Sequence, residues 1–115
     1  FIEEGVIVKI EGGDLAEEID KQIELIGSNL RSSKAALIGT FAEFGFGMNS
    51  RAKITGNALE DLVHRGGVYF GFGNNMALGG SVSVPLHLRG VMLDASVTLE
   101  DIDLVKNGKV IAKVR

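Results

Sequence analysis

Four side chains able to do chemistry sit at equivalent positions of alternating segments. In 41–47, Phe44 and Phe46 fall on one face of an extended chain, and Glu43, Gly45 and Gly47 on the other. Residues 69–73 repeat the pattern, with Phe70 and Phe72 opposite Tyr69, Gly71 and Gly73. His87 and Arg89 oppose Leu86 and Leu88. One kind of surface thus carries a carboxylate, a phenol, an imidazole and a guanidinium. The carboxylate and imidazole can ligate a metal or move a proton. Gly45, Gly47, Gly71 and Gly73 would leave bare backbone as a floor, open to a ligand or to another segment. A glycine row equally suits a tightly curved sheet. A Glu and an Arg on one face can form an ion pair, and a lone histidine is more often structural than a ligand.

The elements that must position these residues follow from periodicity. Residues 5–10 alternate as a strand. Gly12-Gly13 is a turn, and Asp14 with Glu17 makes a capping-box pattern. Leu15, Ile19, Ile23, Ile26 and Leu30 then recur at helical spacing, which predicts a long amphipathic helix over 15–30 packed on a sheet. Residues 35–47 and 68–73 read as strands whose phenylalanines face the core. Asn57 and Glu60 predict a short helix over 58–64, stopped by Arg65-Gly66-Gly67. Residues 81–91 alternate strictly and read as a strand, at an edge because Pro85 cannot donate to a ladder. Asn107-Gly108 predicts a two-residue hairpin between 102–106 and 109–114. The fold class is α+β: a mostly β single domain, 1–115, with one long amphipathic helix and one short helix.

Totals narrow the function. The 115 residues carry 12 basic and 15 acidic groups, net charge -3, with no basic block. Nucleic acid is therefore not an expected partner. Cysteine is absent, which removes disulfides and thiolate chemistry. No apolar run is long enough to span a bilayer, so no membrane role is expected and a cytoplasmic location is the default.

Four ordered blocks resemble one family. Phe41-Ala42-Glu43-Phe44-Gly45-Phe46-Gly47-Met48-Asn49 is followed by Ala52-Lys53-Ile54-Thr55-Gly56-Asn57. Then come Gly67-Val68-Tyr69-Phe70-Gly71-Phe72-Gly73-Asn74-Asn75 and Val84-Pro85-Leu86-His87-Leu88-Arg89-Gly90-Val91. They are similar to consecutive blocks of the thermophilic metallo-aminopeptidases, the leucyl aminopeptidase and aminopeptidase T type. Distant relatives of that group include the dihydroxypyridine ring-cleaving dioxygenases.

The resemblance implies metal-dependent hydrolysis of N-terminal residues from peptides, with a pair of zinc or cobalt ions activating a water. Glu43 and His87 match two metal ligands of that family. Tyr69 stands where it has a histidine, Arg89 where it has an aspartate, and Met76 where the peptidases have a tyrosine. Arg cannot ligate, so the resemblance implies a degenerate metal site, in a chain not expected to catalyse alone. Arg89 is expected to pair with Glu43 in the metal's place; a double-mutant cycle without coupling between them would count against this. The family's usual length, together with Phe1 at the start, makes the chain the expected C-terminal part of a longer protein. The other reading is a domain that has lost its metals and serves ligand binding or assembly. Expected partners are a peptide or small anionic ligand and, because family members tend to be dimers, a second copy in a homo-oligomer.

Overall fold

The computed structural model describes residues 1–113, so Val114 of the predicted final strand lies outside the described residues. Among them are eight strands in three sheets and three α-helices, an α+β fold as the periodicity predicts. The strands are β1 (Ile2–Glu3), β2 (Val6–Ile7), β3 (Phe41–Phe46), β4 (Val68–Gly73), β5 (His87–Met92), β6 (Val97–Leu99), β7 (Ile102–Lys106) and β8 (Lys109–Val110). The helices are α1 (Asp14–Ser28), α2 (Ser32–Ala35) and α3 (Ala58–Asp61), and Met76–Leu78 forms a 3₁₀ turn. The sheets are ordered β1-β2, β3-β4-β5 and β6-β7-β8.

The chain forms two compact units. The first holds Phe1–Glu43 and Gly71–Leu88; the second holds Phe44–Phe70 and the segment from Arg89 onward. In the first, Glu4 and Gly5 both take positive φ, which closes a two-residue hairpin with Ile2 opposite Ile7. Ile38 and Val84 are its buried apolar residues. The Phe41 and Phe72 rings pack at 5.7 Å, tilted by 51°.

Helix α1 forms where the 3.6-residue stripe predicts it, with two differences. Gly13, not Asp14, is the N-cap, and no side chain caps the helix. Asp14 and Glu17 lie within the first turn, where their charge complements the helix dipole. The stripe is also not sealed: no residue of α1 is buried, and Leu15 and Leu25 are 74% and 59% exposed.

The alternating segment 81–91 is a strand only from His87. Residues 81–86 form no strand and bend at Pro85, with Val84 buried, and their backbone partners are asparagines. Asn75 Oδ1 accepts from Val82 N, and Asn74 Nδ2 donates to the Val84 carbonyl. Alternation reports which side of an extended chain is covered; here side-chain amides replace the neighbouring strand. Likewise, 35–40 is helix end and turn, with α2 preceding the strand.

In the second unit Ala52, Val68 and Val105 are buried. Asn57 caps α3 by accepting from Leu59 N at 3.0 Å, as its sequence predicts. The β7–β8 turn places Asn107 and Gly108 at φ 47° and 71°, the pair of left-handed residues that this hairpin needs. Phe70 lies over Gly90, where an added Cβ would sit 2.6 Å from the ring. Phe44, expected in the core, is 50% exposed. Its alternation placed it on the same face as Phe46, but that face is only partly covered at its position.

At the β6–β7 hairpin the Thr98 hydroxyl donates to Asp103 Oδ1 at 2.7 Å. That bond is the main cause holding Asp103 below its ordinary carboxylate pKa; desolvation opposes it, and the nearby Lys106 ammonium adds a weaker lowering. A carboxylate lowered on folding stabilises above its unfolded pKa, and the effect is lost as pH falls through the folded value. Thr98→Val should therefore raise the Asp103 pKa toward its ordinary value, remove this stabilisation above about pH 4 and flatten the fall of stability with acid below it. A carboxyl-carbon NMR titration measures it; an unmoved Asp103 midpoint would sink the assignment.

Candidate metal site

Within the first unit, β3 and β4 run antiparallel. Gly73 N donates to Thr40 O at 2.8 Å, and Glu43 lies beside Gly71. The Glu43 side chain lies flat across Gly71. A Cβ there would stand 2.6 Å from Glu43 Cγ and 2.7 Å from Oε1. Gly71 therefore gives the carboxylate the space in which to lie. Gly73, at φ 97°, is likewise filled, by the Leu86 carbonyl.

His87 opens β5 and its ring reaches Glu43, 44 residues away in sequence. Nε2 is 3.0 Å from Glu43 Oε1, and Nδ1 is 2.6 Å from the Asn74 carbonyl oxygen. A carbonyl can only accept, so Nδ1 carries a hydrogen and donates it. In a neutral ring Nε2 then presents its lone pair to an ionised carboxylate, which also only accepts. Those two atoms require something positive between them: a proton, or a metal ion. The Glu43 side chain is 13% exposed and that of His87 30%, so water screens this requirement weakly.

With a proton on Nε2 the contact is an ordinary charge-assisted hydrogen bond; the same spacing also fits two corners of a metal's coordination shell. A ligating histidine usually donates its other nitrogen to a carbonyl or carboxylate, which fixes ring and tautomer. Ligand atoms on adjacent corners of an octahedron with bonds of about 2.1 Å lie about 3.0 Å apart. The Nε2 to Oε1 spacing of 3.0 Å meets that requirement. The pair supplies two donors: among the described residues no three His, Cys, Asp or Glu side chains cluster as a metal group.

The other expected site residues belong to the second unit. There the Tyr69 ring lies over Gly45, where an added Cβ would come within 2.8 Å of Cε1 and closer to the hydroxyl end. Gly47 receives the His64 carbonyl. Arg89 lies in β5 of this unit. The expected bare glycine floor is thus corrected. Gly71 and Gly45 each seat a polar side chain, and Gly47 and Gly73 each seat a backbone carbonyl. The spacing that made them look like a ligand floor is the spacing at which another segment of the chain fills each one.

His64 also donates through Nδ1, to the Ala52 carbonyl at 2.9 Å, and thereby ties the 49–57 loop to α3. Asn74, read from sequence only as the start of a loop, is what holds His87. The signal was available: two consecutive asparagines directly after a glycine-ended strand.

No curated protein matches this chain. The solved structure of 2,5-dihydroxypyridine dioxygenase from Pseudomonas putida KT2440 is similar, with a TM-score of 0.74 and 26% identity. The match covers 97% of this chain and 33% of that one, so the chain spans about a third of the length of that relative. A family model described as NicX, 2,5-dihydroxypyridine 5,6-dioxygenase, matches residues 1–112.

These matches overturn the aminopeptidase resemblance, and with it the hydrolase and metalloprotease assignment. The alternative of a metal-free binding or assembly domain gains no support either. The physical reason lies in the four blocks. Their glycines and phenylalanines encode a scaffold in which side chains lie flat across neighbouring strands, and a scaffold does not fix the reaction. From residues 1–112 the chain belongs to the NicX, 2,5-dihydroxypyridine 5,6-dioxygenase, family.

Proposed function

We propose that this chain is a metal-site domain of a ring-cleaving dioxygenase acting on a small dihydroxylated pyridine, with iron(II) as the metal. The observation that carries the reading is His87. Its Nδ1 is tied to the Asn74 carbonyl, and its Nε2 is aimed at the Glu43 carboxylate 3.0 Å away. Family membership supports the reaction class. Likeness to the Pseudomonas putida 2,5-dihydroxypyridine dioxygenase supports the substrate class.

Donor chemistry supports iron over the zinc or cobalt first expected. Zinc has no redox chemistry. Glu43 and His87 are two of the three donors that the 2-His-1-carboxylate set of non-haem iron(II) oxygenases uses, so among the described residues that set is incomplete. Bound iron(II) would supply the electron density that lets ground-state dioxygen attack an aromatic diol. Glu43 offsets part of the ion's charge, and its seat on Gly71 fixes where that negative charge lies. His87 offers a neutral nitrogen whose direction is set from behind. A dihydroxypyridine readily becomes a small anion on losing a hydroxyl proton, in keeping with the anionic ligand expected from the sequence.

The test is an anaerobic calorimetric titration with iron(II), followed by oxygen uptake with 2,5-dihydroxypyridine. The chain should bind one iron, Glu43→Ala and His87→Ala should each weaken it on the order of 10–100-fold or more, and the loaded protein should consume oxygen only with the diol. Iron binding indifferent to both substitutions would overturn the reading.

A further inference from the structure

The β6–β7 hairpin ends in an apolar pair that stands exposed. Leu99 and Ile102 are directly opposed across the ladder, so their side chains share a face. They are 63% and 64% exposed. The turn between them is Glu100-Asp101, acidic and exposed at both positions. The tip is thus a short apolar knob with negative charge at its end.

A groove of the opposite character lies in the same unit. Met48, Val110, Ile111 and Ala112 give it apolar walls, Arg65 and Lys113 complete its lining, and its volume is about 670 Å³. Met48 and Ile111 are exposed within it. Among the described residues neither the Arg65 guanidinium nor the Lys113 ammonium has an ion-pair or hydrogen-bond partner. Tip and groove both belong to the second unit.

We propose that the chain associates with itself head to tail, the Leu99/Ile102 tip of one copy seated in the Arg65/Lys113 groove of the next. Charge complementarity selects this occupant. The tip brings two carboxylates to two uncompensated cations and covers its apolar pair with apolar walls. A tip cannot fill the groove of its own copy. Leu104, in the strand that carries the tip, accepts at its carbonyl from Ile111 N and Ala112 N at 3.0 and 3.1 Å. That ladder fixes the tip beside the groove wall. Because tip and groove are different patches, every bound copy still offers one of each, and association grows beyond a dimer with concentration. A contact this small buries less than about 1,200 Å² in total, which places it among weak, transient interfaces.

The test is sedimentation velocity over a concentration series reaching about 1 mM, where a contact with a dissociation constant of that order is populated. The wild type should form species larger than a dimer, and at about 1 M salt, with charges screened beyond about 3 Å, the apparent affinity should fall about tenfold or more. Glu100→Lys with Asp101→Lys makes tip and groove both basic; Arg65→Glu with Lys113→Glu makes both acidic. Each pair alone should weaken association at least about tenfold, since like charges then meet. Mixed in equal amounts the two variants should associate again, because each supplies the charge that the other lacks. All four side chains are exposed, and circular dichroism melts check that both variants fold. Should either not fold, Leu99→Ser with Ile102→Ser carries the test and should abolish association. A wild type that stays monomeric throughout the series overturns the proposal. Association that survives either reversal, or a mixture that does not recover, also overturns it.

Discussion

Replacing Gly66 with alanine should cost about 3–6 kcal/mol, from strained φ plus backbone overlap. Gly66 has φ +89°, a conformation that costs an L-residue energy before any neighbour is considered. A Cβ there would also overlap the Gly108 carbonyl oxygen. Neither backbone can yield. Gly66 N donates to Gly47 O at 3.1 Å, and Arg65 N donates to Asn49 O at 3.1 Å. On the other side Gly108 N donates to Ala95 O at 3.0 Å, and Asn107 N donates to Ser96 Oγ at 3.0 Å. The β7–β8 turn is thus pinned at both ends.

Thermal melts followed by circular dichroism measure the effect. A loss of this size should lower the midpoint by at least about 10 °C in a chain of this length. Two controls separate the causes. Gly79 has φ +88° but nothing within 4 Å of an added Cβ, so Gly79→Ala reports conformational strain alone, about 1 kcal/mol. Gly27 lies inside α1 with no positive φ and open space, so Gly27→Ala should be neutral or slightly stabilising. If Gly66→Ala melts like Gly79→Ala, the proximity of the two backbones is not limiting and the account fails.

Much of this arrangement was legible in the sequence, for reasons that particular residues make clear. The Phe-Gly-Phe-Gly repeats fixed β4 to its observed ends, Val68–Gly73, because a two-residue period has only one way to divide those rings from the polar face. Asn107-Gly108 gave the last turn because only residues tolerant of left-handed φ close a two-residue hairpin. Glu43 and His87 were nominated by the same alternation, and the structure joins them.

What was not legible depended on pairing between segments. Nothing local says that Glu43 comes to rest on Gly71, or Tyr69 on Gly45, since that requires strand register. The 81–86 segment misled because Val82 and Val84 alternate as in a strand while Asn74 and Asn75 supply its partners from a loop. The reaction class was illegible for a deeper reason. Glycines that seat side chains are demanded by the scaffold, and chemically different reactions can use one scaffold.

That distinction between scaffold and chemistry can be tested at a single atom, by Gly71→Ala. The stability cost should be small, because Gly71 has no positive φ and its would-be clash is with a side chain rather than a backbone. Glu43 can rotate out of the way for roughly 1–3 kcal/mol. In doing so it carries its carboxylate off His87 Nε2, and a misplacement of about 1 Å is enough to spoil a ligand set. Iron(II) affinity should therefore fall on the order of 10–100-fold, with the chain still folded. The readout is the thermal midpoint with and without metal. Wild-type protein at a hundredfold excess over its dissociation constant should gain about 2.7 kcal/mol from binding, and the variant should gain little. Gly45→Ala is the matched comparison. It adds the same methyl at the corresponding glycine of β3, but displaces the Tyr69 ring and leaves Glu43 on its own seat. If both alanines weaken iron binding equally, the loss reflects general loosening of the sheet. If only Gly71→Ala does, the glycine is there to let the carboxylate lie against the strand, and the repeated motif is a device for placing ligands.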